Sequence, residues 1–323
     1  MKIDRFLFFA CQVNLSKIAF SQTEEWLDAC HYDQDSVRFF VDSSQNTNIA
    51  CWGVETRSRL LGTKLNINGI SLNDSVSIEQ YRQFFASIID EDYDIIDVSD
   101  ISVYSTDFEV AIRRAGFVRP LGINLCPLTI IVDVNTTDYK FHRNWRRQVR
   151  KSKESGNSFE VVDNPTYQDA EKFVALFQSL KERKSLGFSI SAEEIELMLH
   201  SKKYQLFFIN NSQGERVCGR IAYIHNGRVY DVYAANSDAS MASGAIYHIQ
   251  EEILRYCGTI GCVEFDYGRV SPSADHMDNI YVSKSYSGGR VAQYNGQWHY
   301  AKSPLKDALY SMYRYGFRRN RHY

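Results

Sequence analysis

The run Cys262-Val263-Glu264-Phe265-Asp266-Tyr267-Gly268 sets apolar side chains against acidic ones and then stops on a turn residue, which is the pattern of a short buried strand. Past a turn-rich stretch comes Asn279-Ile280-Tyr281-Val282-Ser283-Lys284-Ser285-Tyr286-Ser287-Gly288-Gly289. Together the two segments set Asp266, Tyr267 and Lys284 on short connections around one strand end, where mixed sheets expose reactive groups. An active site is therefore expected there.

Upstream, the spacing of Ile246, Ile249 and Ile253 predicts a helix over 243–256, and 204–209, 216–224 and 228–234 read as three antiparallel strands joined by tight turns. Thr166 caps a helix carrying Ala170, Phe173, Val174, Phe177 and Leu180, and Ser191 with Glu194 caps another through residue 199. A strand over 159–162 precedes both. Residues 138–153 differ in character. Phe141, Trp145 and Val149 recur every four residues while Arg143, Arg146, Arg147, Arg150, Lys151 and Lys153 fill much of the rest, which predicts a helix with a narrow apolar stripe and a wide basic face, ended by Gly156.

The first half reads in a similar way. Strands are expected at 36–41, 47–53 and 59–67, followed by a helix that Ser77 and Gln80 cap ahead of Tyr81, Phe85 and Ile88. A strand over 94–98, a helix capped by Thr106 with Glu109, and a strand over 128–134 close that half. Both halves thus share one order of elements, which predicts two like α/β modules with a cleft at their junction. The division expected is 1–137 for the first module, 138–156 for the basic connecting helix, 157–305 for the second, site-bearing module and 306–323 for a basic aromatic tail.

The 323 residues, 44% hydrophobic and 24% charged, suit two globular domains better than one. A net charge of -2 argues against a general nucleic-acid binder and against a DNA partner, because phosphate contacts need a surplus of Lys and Arg. Seven cysteines, an odd number scattered through apolar segments, read as reduced thiols of a cytoplasmic protein. No run of ~18 apolar residues suggests a spanning helix. The eight histidines lack zinc-like spacing, so no metal is expected. Walker, dinucleotide and nucleophile-elbow motifs are absent.

With these elements in order, the chain resembles the Fem family of aminoacyl- and acyltransferases, best known for building peptidoglycan cross-bridges on two copies of the GNAT acyltransferase fold. The resemblance rests on the Arg-rich segment 145–153 followed by Gly156, the strand end Asp266-Tyr267-Gly268, the trio Tyr281, Lys284 and Tyr286-Ser287-Gly288-Gly289, and the strand end Tyr233-Ala234-Ala235-Asn236. It covers roughly 144–300. It implies an α/β fold of two GNAT-like modules, each a mixed, largely antiparallel sheet flanked by helices. Two departures bear on substrates. Nothing between Leu180 and Tyr204 is long enough for the helical hairpin that tRNA-using members commonly insert, which favours acyl-coenzyme A over a tRNA donor. Arg269 stands where a second glycine is expected, and the polar loop 269–278 points to a different acceptor.

The chemistry expected is direct attack of an amine on a thioester or ester. Asp266 accepts the amine proton or orients the amine, Tyr267, Tyr233 or Tyr281 protonates the leaving group, and Glu264 is a reserve base. The small residues Ser243, Gly244 and Ala245, with Asn236 before them, offer helix N–H groups to a pyrophosphate. Lys284, Tyr281, Arg146 and Arg150 hold an anionic substrate. Each has a plainer reading: a glycine needed for packing, an Asp capping its own loop, a lysine on an exposed helix, a solvated basic face. The function this implies is N-acyl transfer from coenzyme A to an amine of a cell-envelope, amino-sugar or peptide acceptor, at the inner face of the membrane if the acceptor is lipid-linked. The alternatives are an aminoacyl-tRNA-dependent transferase and a non-catalytic binding protein. The basic aromatic run 313–321 is the segment suited to anionic lipid headgroups.

Overall fold

The computed structural model describes residues 1–121, 125–184, 186–270 and 278–317. Two compact units emerge. Unit 1 comprises 1–27, 31–128 and 292–323, and unit 2 comprises 28–30 and 129–291.

In unit 1 the strands are β1 (Lys2–Ile3), β2 (Val37–Val41), β3 (Ile49–Ser58), β4 (Gly62–Asn68), β5 (Ser71–Leu72) and β6 (Ile95–Val103). β1 to β4 pair antiparallel in succession, β6 adds parallel to β4, and β5 pairs with β3. Phe39 and Phe40 sit side by side on β2 and enter different cores, because successive strand residues face opposite sides. One core gathers Phe8, Leu27 and Trp52 with α1 (Arg5–Gln12), and α2 (Glu24–Ala29) follows in sequence. The other gathers Phe84, Phe85 and Phe108 from α3 (Ile78–Ile89) and α4 (Thr106–Arg114). Each fully buried aromatic or aliphatic side chain contributes about 1.5–3 kcal/mol of transfer free energy. The expected capping box of Ser77 and Gln80 starts α3. α4 is capped one residue earlier than expected: Ser105 Oγ accepts from the Phe108 N–H, and Glu109 is engaged by Arg113 and Arg119.

Unit 2 repeats the scheme. Its strands are β7 (Leu128–Asp133), β8 (Ser158–Val162), β9 (Tyr204–Asn210), β10 (Arg216–His225), β11 (Arg228–Asn236) and β12 (Glu264–Arg269). β8 to β11 run antiparallel in succession, β12 adds parallel to β11, and β7 closes antiparallel on β12. Its helices are α5 (Arg143–Glu154), α6 (Tyr167–Lys184), α7 (Ala192–Leu199), α8 (Asp238–Ser243), α9 (Ala245–Thr259) and α10 (Asp278–Ser285). β10 is buried at every position from Val217 to Tyr223, so both faces of the sheet are covered, by α6 and by α9.

Four features differ from the sequence expectation. The strand over 128–134 was expected to close the first half. It pairs instead with β12 of unit 2. Conversely β13 (Arg290–Ala301), expected in the second module, pairs with β6 of unit 1. Unit 1 thus takes its closing strand from beyond unit 2 in sequence, and unit 2 takes its own first strand, because the edges of β6 and β12 are satisfied by partners that local periodicity cannot name. The residues after 305 are no free tail through 317. They form α11 (Pro304–Phe317), with Tyr310 packed on Leu61 and Ile95. The end of the basic aromatic run, 318–323, lies outside the described residues. The helix expected over 243–256 is broken at Gly244 into α8 and α9.

All seven cysteines are free thiols. Among the described residues no helix is long and apolar enough to cross a membrane, and no group of three or more His, Cys, Asp or Glu is placed to hold a metal ion.

Candidate active site

Three neighbouring strands and one helix of unit 2 bring together a buried ionic array. Arg220 stands in the middle of β10 with its side chain 8% exposed, and its Nη1 lies 3.1 Å from Asp231 Oδ2 on β11. Lys284 of α10 approaches the same oxygen at 4.0 Å and donates from Nζ to the Tyr267 carbonyl oxygen at 2.6 Å. A bulge in the β10–β11 pairing, where Ile221 faces Tyr233 but Ala222 faces Asp231, lets Asp231 reach this cluster out of the regular alternation. Two positive groups and one negative group, nearly out of water, dictate the electrostatics. Desolvation pushes the Lys284 pKa down to about 8, Asp231 holds it up, Arg220 lowers it, and Asp266 raises it.

Asp266 is anchored beside this array. Its Oδ1 accepts from Thr129 Oγ1 at 2.5 Å and from the Gly268 N–H at 2.9 Å, while Thr129 also lies 2.8 Å from the Gly268 carbonyl. Gly268 needs its positive φ of 69° to turn the chain back over its own aspartate. Tyr267 is 1% exposed, and burial pushes its phenol well above the usual range while Ser287 beside it acts in the opposite direction. Tyr281 lies one turn ahead of Lys284 on α10. At the end of this segment, a Cβ on Gly289 would stand 2.7 Å from the Ile131 carbonyl and one on Gly288 2.7 Å from the Lys140 carbonyl, so both glycines are required for close packing against β7 and the lead-in to α5.

The structure therefore joins Asp266, Tyr267 and Lys284 as the sequence suggested, and adds Arg220, Asp231 and Thr129. The signal for Arg220 was present: one guanidinium inside the otherwise apolar run Val217-Cys218-Gly219-Arg220-Ile221-Ala222 has to find an anion. Other candidates stand apart from the array. Glu264, the reserve base, begins β12 and pairs with Arg228 at 3.1 Å and Arg290 at 3.7 Å. The Tyr233 ring packs on Phe177 at 6.3 Å. Asn236 Oδ1 accepts from the Cys218 thiol, and the Asn236 carbonyl takes the Arg183 guanidinium.

The proposed pyrophosphate cradle has a different role in the fold. Gly244 adopts φ 80° between α8 and α9, and a Cβ there would lie 2.5 Å from the Gln148 carbonyl oxygen of α5; Ala245 is fully buried. The small residues thus admit the backbone of α5. Gly244→Ala is expected to cost about 2 kcal/mol or more, from the left-handed backbone plus the clash, measurable as a lowered midpoint of urea unfolding.

The two sides of α5 differ. Trp145, Val149 and Ser152 are buried and tie the helix to α9, Trp145 Nε1 donating to Glu251 at 3.1 Å and Ser152 Oγ meeting His248 Nδ1 at 3.1 Å. The other side is cationic. Arg143, Arg146, Arg147, Arg150 and Lys151 are exposed, and none of these side chains has an ion pair or hydrogen bond among the described residues. Arg146, Arg150 and Lys153 line an open groove of about 410 Å³ with Val149, Glu154 and Glu251. Glu251 adds little negative charge there, since Arg255 and Trp145 occupy its oxygens.

No family model matches the sequence, and no curated protein matches it. Solved structures do match, over nearly the whole chain. A crystal structure of FemX superposes with a TM-score of 0.75 at 13% identity, covering 97% of this chain and 99% of that one. L-PGS from Bacillus licheniformis gives 0.67 at 15%, covering 96% of both chains. The C-terminal DUF2156 domain of a putative lysylphosphatidylglycerol synthetase from Agrobacterium fabrum gives 0.60 at 14%, covering 84% and 86%. At such identities the shared property is the fold, and it is the Fem-type fold that the motifs implied.

Proposed function

We propose that the protein is an N-acyltransferase that moves an acyl group from coenzyme A to an amine of a cell-envelope, amino-sugar or peptide acceptor. The observation that carries this reading is the buried array of Arg220, Asp231 and Lys284 beside the anchored Asp266. The amine nitrogen attacks the acyl carbonyl carbon, the carbonyl oxygen takes up the electron pair, and collapse breaks the carbon–sulfur bond, the departing thiolate taking the proton that the nitrogen loses and leaving as the free thiol. Lys284 has three N–H donors and spends one on the Tyr267 carbonyl, so in its charged form it supplies donors to the developing oxyanion at a site poor in water. Asp266, with Oδ1 already held by Thr129 and Gly268, orients the amine more readily than it takes its proton.

A second donor, aminoacyl-tRNA, is favoured by two observations: the closed packing around Gly244 and Ala245, and the five cations along α5 that have no ion pair among the described residues. Both donors carry phosphate, and in either case Arg146 and Arg150 in the groove are its natural partners. Calorimetry with acyl-coenzyme A and with charged tRNA separates them. Saturable acyl-coenzyme A binding supports the first reading; its absence together with tRNA binding supports the second, and no binding of either sinks the transferase. Arg146→Gln with Arg150→Gln is expected to raise the KM for the true donor about tenfold and leave kcat nearly unchanged, the sign of a contact made equally in ground and transition states.

A further inference from the structure

We propose that Thr129 is a positioning residue of the acyl-transfer site: acting through a bulge in β12, its hydroxyl sets both the Asp266 carboxylate and the carbonyl that holds Lys284. The kinetic consequences rest on the acyl-transfer reading, the placement on geometry alone. Thr129 supplies the hydroxyl in the otherwise apolar run Leu128-Thr129-Ile130-Ile131-Val132 of β7 and is fully buried, so its Oγ1 has to find polar partners inside the fold. Opposite it the two strands fall out of step. Asp266 faces Ile131 but Arg269 faces Thr129, which leaves Tyr267 and Gly268 together opposite the single residue Ile130. An extra residue of this kind interrupts the ladder and re-aims the side chains around it.

Side chains take over the polar groups of the bulge. Lys284 Nζ donates to the Tyr267 carbonyl oxygen at 2.6 Å, the Gly268 N–H donates to Asp266 Oδ1 at 2.9 Å, and Thr129 Oγ1 lies 2.5 Å from Asp266 Oδ1 and 2.8 Å from the Gly268 carbonyl oxygen. A hydroxyl carries one hydrogen, and an ionised carboxylate competes for it better than a carbonyl does, so the bond to Asp266 is the stronger of the two. The tether from Gly268 belongs to the same turn as the carboxylate and moves with it, whereas Thr129 stands on a neighbouring strand and fixes the turn from outside. Lys284 is reached by the same route. Tyr267 lies between Asp266 and Gly268, so a turn that shifts carries away the carbonyl that the lysine holds, and it also displaces the Asp266 charge that favours the lysine's charged form. Valine at 129 keeps the branched shape and the strand preference but sets a methyl group against two oxygens.

The test compares Thr129→Val and Thr129→Ser in the full chain, with acetyl-coenzyme A or alanyl-tRNA as donor, whichever the wild type uses, and glucosamine as the amine. Loss of the hydroxyl is expected to lower kcat by about ten- to a hundredfold and to leave the donor KM nearly unchanged, the result of a small misplacement of reacting groups. The alkaline fall of turnover should move to lower pH, because an ammonium that loses an acceptor gives up its proton more readily. Thr129→Ser restores the hydroxyl and is expected to recover most of the turnover. A threonine with a merely structural part would lower the thermal midpoint and leave kcat and the pH profile intact; that result overturns the proposal, as does a serine variant as slow as the valine one. Thr129→Ala serves if the valine variant does not fold. Crystal structures of the wild type and Thr129→Val decide the placement without any turnover: the Asp266 carboxylate is expected to leave the Gly268 N–H, or Lys284 the Tyr267 carbonyl, and both bonds unchanged overturn the proposal. A wild type that transfers from neither donor sinks the acyl-transfer reading instead, and the crystallographic comparison still decides what Thr129 holds.

Discussion

Lys284→Met is expected to lower turnover by about 10²–10³-fold, the usual loss when one preorganised donor to an oxyanion is removed, with little change in donor KM. Folding should survive. Methionine fills a similar volume, and the charge it removes is one the fold holds at a cost, as its lowered pKa records. The sign can be followed through pH. Between about 8 and the ordinary lysine value of 10.5 the unfolded chain keeps the Lys284 proton while the folded chain has released it. The unfolded state then binds more protons, so this group adds stability as pH rises through that window, and the addition disappears in Lys284→Met. Turnover runs the other way: the cation is the working form, so activity is expected to hold below pH 8 and fall above it. A variant that keeps wild-type turnover, or activity that climbs through pH 8, removes Lys284 from the chemistry.

Asp231→Asn is expected to have the largest effect on stability, about 3–5 kcal/mol, because it leaves two buried cations without their anion. Among the described residues Arg220 loses its only ion pair, and its Nε has no partner there either. Lys284 loses the charge that does most to hold its proton, so its pKa should fall below about 8 and the alkaline limb of activity should move to lower pH with it. Urea unfolding measures the first effect and a pH profile of turnover the second. A loss under about 1 kcal/mol would mean that the array is wet and screened, as at a protein surface.

Much of the local structure was legible in advance. Capping pairs such as Ser77 with Gln80 and Ser191 with Glu194 stood at their helix starts, since a cap and the N–H groups it satisfies lie within one turn. The stripe of Trp145 and Val149 on α5 was readable from its spacing, as was the trio Asp266, Tyr267 and Lys284 from its strand-end context. Harder was the role of glycine. The small residues at 243–245 suit either a ligand or a close-packed helix, and only the position of Gln148 showed which need the glycine meets.

What the amino-acid order determined by itself was the set of elements, their amphipathic faces and the type of side chain at the strand end, because those depend on neighbours within a few residues. Which strand closes each sheet, β7 on β12 and β13 on β6, was decided in three dimensions. So was the meeting of Arg220 and Asp231 with Lys284, which sets the acidity of the lysine. The physical reason is common to both: hydrogen-bond edges and buried charges accept any complementary partner, and only the folded chain specifies the one within reach.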